Sequence, residues 1–325
     1  MFENYPKANL AFLPTPLEKI ERFSSEVGDI NIYMKRDDNT GLAMGGNKAR
    51  KLEFLMGDAK SKGADTILTT GGPQSNHARM TAAAARRLGM EPILVLKGRE
   101  PAVRQGNLLL DDLLGADVRF VDTKDYGEIH GKMGKIASQL ESRGRKPYII
   151  PLGGSTPLGA LGYVEAFLEI MNQADEMGIN VDYIVNAVGS GGTHAGLLVG
   201  AYLSGKDVEI VGISVDAEKG VFQNDIARIA TECSRLLNND REFKPEDIIV
   251  FDEYVGEGYG IVNNETVEAI TLMARTEGII LGPVYTGKAM SGLIDLIKKG
   301  YFKQGSNVVF IHTGGTPALF DKLVK

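Results

Sequence analysis

Short apolar runs that recur between helix-length stretches constrain this chain more than any other feature. The runs fall at 66–69, 92–96, 118–121, 147–150, 183–188, 209–215 and 308–312, and stretches of helical length occupy 76–88, 132–143, 193–203 and 264–276. Strands alternating with helices return to a sheet in parallel, which predicts an α/β fold of open, mostly parallel sheets flanked by helices. At 325 residues the chain exceeds what one hydrophobic core usually supports, so two domains are expected. Glycines gather where apolar runs end, at 71–72, 153–154, 189–192 and 314–315. Ligands of open α/β sheets bind outside the carboxyl ends of the strands, so these glycines predict one shared site.

Composition narrows the partners. With 36 basic and 42 acidic side chains, a net charge of −6 and no long block of one sign, neither nucleic acid nor an anionic membrane is expected to be the main partner. No run of about 18 apolar residues occurs, and Met1 to Leu13 lacks the pattern of a secretory leader, which points to the cytoplasm. Cys233 is the only cysteine, so an intrachain disulfide is ruled out and the thiol reads as a small buried hydrophobe. No metal site is expected, because His77, His130, His194 and His312 have no ligand-like spacing.

Lys48 stands out for its setting. It follows Gly45-Gly46-Asn47, and Leu52, Leu55, Met56 and Ala59 continue at helical spacing, so it sits in a first helical turn with Asn47 as the expected N-cap. The positive helix end and the like charge of Lys51 are both expected to lower its pKa and favour the free amine, which can form a Schiff base. The plainer reading is a pair of solvated surface charges.

Three further constellations bear on that choice. Gly189-Ser190-Gly191-Gly192-Thr193 follows an apolar run and opens a helix, so converging N–H groups, the helix dipole and two hydroxyls suit a phosphate. No Lys-Ser or Lys-Thr completes a Walker loop, and His194 stands where a dinucleotide fingerprint has its third glycine. Asp216, at the end of the next strand, keeps a nicotinamide-binding oxidoreductase open as an alternative. Ser75, Asn76 and His77 precede an alanine-rich helix, where they can cap it or receive a carboxylate. Tyr285, between Pro283 and Gly287, is placed to stack on a planar ligand, with Thr286 and Thr313 as neutral hydroxyls nearby.

In this order, Gly-Gly-Asn-Lys-Ala-Arg-Lys-Leu-Glu-Phe at 45–54, Gln-Ser-Asn-His at 74–77, Gly-Ser-Gly-Gly-Thr at 189–193 and Pro-Val-Tyr-Thr-Gly-Lys at 283–288 closely resemble the D-cysteine desulfhydrase and 1-aminocyclopropane-1-carboxylate (ACC) deaminase family. Lys35-Arg36-Asp37-Asp38 and His312-Thr313-Gly314-Gly315 extend the resemblance nearly end to end. It implies the fold type II of pyridoxal phosphate (PLP) enzymes, like the tryptophan synthase β subunit, with a large domain from 1–51 and 164–325 and an inserted small domain at 52–163. It also implies a homodimer and a small amino-acid substrate. By the same resemblance Lys48 carries the cofactor, Tyr285 packs on its ring, Asn76 bonds the ring hydroxyl, and Gly189, Ser190, Gly191, Gly192 and Thr193 hold the phosphate, with Thr313 close to the cofactor. Ser75, Asn76 and His77 receive the substrate carboxylate, Tyr259 is a second active-site tyrosine beside Thr286, and Lys51 acts electrostatically.

One departure divides the family's two activities. Its ACC deaminases typically carry glutamate and leucine where this chain has Thr286 and Thr313. A carboxylate by the pyridine nitrogen strengthens the electron sink, whereas a threonine hydroxyl leaves it weaker, which suits elimination of a good leaving group. The expected activity is α,β-elimination from D-cysteine to pyruvate, hydrogen sulfide and ammonia, with Lys48, Ser75, Tyr259 and Tyr285 as the catalytic residues: the freed Lys48 amine or a nearby group removes the Cα proton, and Ser75 and Tyr259 are candidates for proton transfer. The alternatives are an L-cysteate or related lyase, in which Arg79 and Lys288 meet an anionic substituent, an ACC deaminase, and a catalytically silent PLP-binding protein.

Overall fold

The computed structural model describes residues 1–123 and 125–323. Its strands are β1 (Leu17–Lys19), β2 (Asn31–Lys35), β3 (Thr66–Gly71), β4 (Glu91–Lys97), β5 (Asp117–Val121), β6 (Pro147–Ile150), β7 (Tyr183–Val188), β8 (Glu209–Ser214), β9 (Ile249–Phe251) and β10 (Asn307–Ile311). They form a six-stranded sheet in the order β1-β2-β10-β7-β8-β9 and a four-stranded sheet in the order β5-β4-β3-β6. Every pairing is parallel except β1 with β2.

The central strands read as continuous apolar runs because both faces are covered. Ile32, Met34, Val185, Val308 and Phe310 pack on one side with Met273, Met290 and Leu293. The alternate residues Tyr33, Ile184, Val309 and Ile311 pack on the other side with Phe167, Ile170 and Leu197. In the smaller sheet Ile67 and Ile150 join Leu52, Leu55 and Met56 of the helix Lys48–Ser61.

The helices Lys48–Ser61 and Pro157–Met177 run unbroken through positions 51 and 163, so the chain passes between the two sheets along helices. A buried ion cluster anchors both. The Arg50 guanidinium donates from Nε and Nη2 to Asp37 at 2.9 Å each, and from Nη2 to Glu169 Oε1 at 2.8 Å. Lys35 Nζ lies 2.6 Å from Glu169, and Tyr163 donates to Asp37 at 2.5 Å. Arg50, Lys35, Asp37 and Tyr163 are all at most 1 % exposed, so these charges are stable only because each is matched. The Arg50 charge holds the Asp37 carboxyl below the usual carboxylate range despite its burial. The cluster fastens the first turn of the Lys48 helix to the end of β2.

Two local expectations are corrected. The stretch expected to be helical from 132 begins at Tyr126, where Asp125 caps it by accepting from Gly127 N–H at 2.7 Å. Asn47 occupies the N-cap position but makes no cap hydrogen bond, because its side chain is used in the site described next.

Candidate active site

A cavity opens between the carboxyl ends of the two sheets. Its walls include Lys48 and Asn47, the turn after β3 with Ser75, Asn76 and His77, the loop after β7, and Tyr259, Tyr285 and Thr313. Of the expected site residues, Gly192 and Thr286 do not line it. The Gly192 N–H bonds Ser155 Oγ at 3.1 Å. Thr286 lies behind Tyr285, where its hydroxyl accepts the Gly282 N–H at 2.7 Å.

Lys48 begins its helix with its ammonium 3.2 Å from Asn47 Oδ1. The Asn47 Nδ2 donates to Thr193 Oγ1 at 2.9 Å, so one amide ties the lysine to the glycine loop. Burial pulls the Lys48 pKa down to about 8. The direction is the one the sequence implies, but the cause is desolvation. The like-charge repulsion is felt instead by Lys51, held well below its ordinary value first by burial and then by the charge of Lys48.

The glycine loop is shaped for an anion. The N–H groups of Ser190, Gly191 and Thr193 have no partner among the described residues and stand at the start of the helix Gly192–Ser204. Gly191 has φ +78°, and a Cβ on Gly189 would lie 2.8 Å from the Tyr285 ring. Ser155 donates to Ser190 Oγ at 2.8 Å, and Lys51 Nζ is 3.3 Å from Ser155 Oγ, which brings a buried amine beneath the loop. Ser155 was not singled out in the sequence, although it directly follows the strand-end glycines 153–154.

On the opposite wall Ser75 caps the helix Asn76–Arg87, its hydroxyl accepting from Ala78 N–H at 3.1 Å. His77 Nε2 lies 2.8 Å from Thr69 Oγ1, whose hydroxyl also reaches Ile150 O at 2.8 Å. Thr69 Oγ1 thus bridges the His77 imidazole and the Ile150 carbonyl, and the Pro151 carbonyl also faces the ring. Burial, then the charges of Lys48 and Lys51, holds its pKa well below the ordinary value, so His77 is neutral. His194 also borders the cavity, 3.0 Å from Asn186 Oδ1, and burial lowers it to about 3.

Tyr259 Oη and Tyr285 Oη are 2.6 Å apart, with rings edge to face at 5.9 Å. Burial pushes Tyr285 up to about 12, while the bond to Tyr259 acts to lower it, and Tyr259 is raised further. Tyr259 is the more exposed of the two, and either hydroxyl can donate in the bond they share. Tyr126 also borders the cavity, a role the sequence did not reveal, and so does Asp216, which the sequence offered only as the ribose partner of a nicotinamide cofactor. Arg79 and Lys288 do not. Arg79 bonds Asn76, Asn107 and Gly45, and Lys288 Nζ donates to Val255 O at 2.6 Å and Gly258 O at 2.7 Å, pinning the turn that carries Tyr259.

The model of the family described as pyridoxal-phosphate dependent enzyme matches residues 8–314. The chain belongs to this family of PLP-dependent enzymes. Among its relatives are two proteins provisionally named 1-aminocyclopropane-1-carboxylate deaminase. That of Pyrococcus horikoshii is 44% identical over 100% of this chain and 97% of its own. That of Pyrococcus abyssi is 41% identical over 98% and 94%. A crystal structure described as an ACC deaminase homologue superposes with a TM-score of 0.91 at 43% identity, covering 98% of this chain and 95% of that one. Threonine deaminase isoform 2 of Solanum lycopersicum, at 18% identity and a TM-score of 0.68 over 97% and 82%, shares the fold. The architecture is that of fold type II PLP enzymes. The site fits PLP: a lysine with a depressed pKa, N–H donors without partners among the described residues at a helix start, and a tyrosine ring in the same cavity wall. No helix among the described residues is long and apolar enough to cross a membrane.

Proposed function

We propose that this PLP-dependent enzyme is a lyase that eliminates the β-substituent of a small amino acid, with D-cysteine as the preferred substrate and pyruvate, ammonia and hydrogen sulfide as products. The observation that carries this reading is the neutral wall on the side of Thr286 and Thr313: Thr286 is a hydroxyl bonded to Gly282 and Thr313 is a hydroxyl at the cavity edge. Asp216, the carboxylate among the described lining residues, lies toward the solvent side and acts on Tyr259 and Tyr285 only through its charge. A neutral wall suits departure of a thiolate, which needs little help from a strengthened electron sink.

When bound, PLP supplies a carbonyl for amine exchange and a sink for the electrons left by loss of the Cα proton. Lys48 is suited to hold it and, once freed, to take that proton, since a pKa of about 8 leaves roughly a tenth of the amine unprotonated at pH 7. Ser190, Gly191 and Thr193 hold the phosphate through their N–H groups, with Gly189 and Gly192 shaping the loop and the Lys51 amine below it. Ser75, Asn76 and His77 receive the substrate carboxylate at a helix N-terminus, where the dipole favours an anion. Tyr285, supported by Tyr259, delivers a proton at the substituent side.

The names of the archaeal relatives favour ACC deamination as the second reading. Release of pyruvate or another 2-oxo acid from D-cysteine, L-cysteine, L-cysteate, D-serine and ACC decides between them, and dominant turnover of ACC overturns the first. We extend the proposal to a cytoplasmic homodimer, which light scattering on the purified enzyme tests as to assembly.

A further inference from the structure

Arg79 has no exposed surface, yet its side chain stays out of the cavity wall. One turn into the helix Asn76–Arg87, its Nη1 donates to Asn76 Oδ1 at 3.2 Å and to Asn107 Oδ1 at 2.8 Å. Its Nη2 donates to Gly45 O at 2.9 Å, in the turn that leads to Lys48. Asn107 passes the pattern on, its Nδ2 donating to Asn76 Oδ1 at 3.0 Å and to Gln74 O at 2.9 Å.

A guanidinium has donors and no acceptor, so whatever touches it must present oxygen. That one-way chemistry orients both amides. Asn107 turns its oxygen to Arg79 and its nitrogen to Asn76, and Asn76 turns its oxygen, with two donors upon it, away from the ligand. What Asn76 keeps for the cavity is its amide nitrogen, which no described residue accepts from. Asn76 rotated the other way would set an NH₂ group against Arg79 Nη1 and Asn107 Nδ2, donor against donor in a buried place, and cost each of the two the acceptor it shares on Asn76.

We propose that Arg79 is a positioning residue that compels Asn76 to present a hydrogen-bond donor to the cofactor ring oxygen, and that through Gly45 it sets this donor relative to Lys48. The inference rests on the reading of Asn76 as the partner of that oxygen. Its consequence is that cofactor affinity and the electronic state of the bound ring depend on a side chain that touches neither cofactor nor substrate.

The test compares Arg79→Lys, Arg79→Met, Asn76→Ala and the double variant Asn76→Ala/Arg79→Lys. PLP is titrated into each apoenzyme by tyrosine fluorescence, and the pH midpoint of the visible band is measured in each holoenzyme. Arg79→Met is expected to weaken PLP binding about tenfold or more and to move the midpoint by roughly one unit, as for loss of a bond to an ionised group. Arg79→Lys, still a donor-only cation, is expected to recover part of both. In the Asn76→Ala background Arg79→Lys is expected to change neither, because the group it orients is gone. Wild-type affinity and midpoint in both single Arg79 variants, or an equal effect of Arg79→Lys with and without Asn76, overturns the inference. If Arg79→Met does not fold, the Arg79→Lys cycle carries the same decision. A wild-type protein that takes up PLP while Asn76→Ala is indistinguishable from it overturns the underlying reading of Asn76 instead.

Discussion

The hydroxyls of Tyr259 and Tyr285 share one hydrogen bond, 2.6 Å long, and Tyr285 is the less exposed of the pair, its ring set against the glycine loop. Tyr285→Phe is therefore expected to lower kcat about 100- to 1000-fold with PLP still bound, the usual cost of removing a proton donor. Tyr259→Phe removes only the supporting bond and is expected to cost about tenfold. Steady-state assays of 2-oxo acid release check both, and a larger loss in Tyr259→Phe assigns the proton to Tyr259.

The low pKa of Lys48 has a thermodynamic counterpart in the apoenzyme. Its value of about 8 when folded lies below the ordinary lysine value, so the unfolded chain binds more protons between about pH 8 and 10.5, and stability rises with pH across that window. Lys48→Met removes the burden. Apo Lys48→Met is expected to be more stable than apo wild type at pH 7, by on the order of 1–3 kcal/mol, with the gap closing above pH 8. Denaturant melts at pH 7, 8.5 and 10 check this. Borohydride is also expected to fix PLP to the wild type and not to the variant.

Asp111 gives the opposite slope. It is buried, its Oδ1 has no hydrogen-bond partner among the described residues, and burial lifts its pKa to about 8. A carboxyl raised above its unfolded value contributes stability at low pH and loses it as pH climbs from about 4 to 8. Asp111→Asn is expected to raise Tm at pH 8 and to change it little at pH 5. Calorimetry at both values checks the sign, and a lower Tm at pH 8 shows that Asp111 is held as a carboxylate by Arg79.

Arg50→Met leaves Asp37 and Glu169 without their shared cation. Breaking a buried pair by removing one partner costs about 3–5 kcal/mol. Because Arg50 lies two residues from Lys48, weaker PLP binding is expected alongside the fall in apoenzyme Tm, and calorimetry with PLP titration measures the two together.

Much of this architecture was legible in the sequence because both faces of the central strands are buried: β3, β4, β7, β8 and β10 announce themselves as apolar runs, and the half-exposed edge strands β5 and β6 keep enough apolar residues to do the same. β1 and β9, three residues each, are too short to show a period. β2 was hidden by Lys35, which is buried in the ion cluster and yet reads as a surface charge. Gly127, Gly131 and Gly134 obscured the start of the helix at Tyr126. The lysine, the glycine loop and Tyr285 were found from their local chemistry. The direction of a long side chain was not, since spacing does not say where Arg79 or Lys288 ends, and the structure turns both away from the cavity to hold other residues. Tyr126 left no local signal, because it meets the cavity only through the packing of the two sheets.

One turn of helix carries both Lys48, open to the cavity, and Arg50, sealed in the ion cluster, whereas Tyr259 rides on an irregular turn pinned by a single ammonium. The two halves of the pocket thus have unequal freedom to change. Substitutions that disturb the cofactor side are purged with the fold itself, while those on the tyrosine side can accumulate and be tried on new substrates. Descendants of such a scaffold would diverge in what they break down long before they diverge in how they hold the reagent that does it.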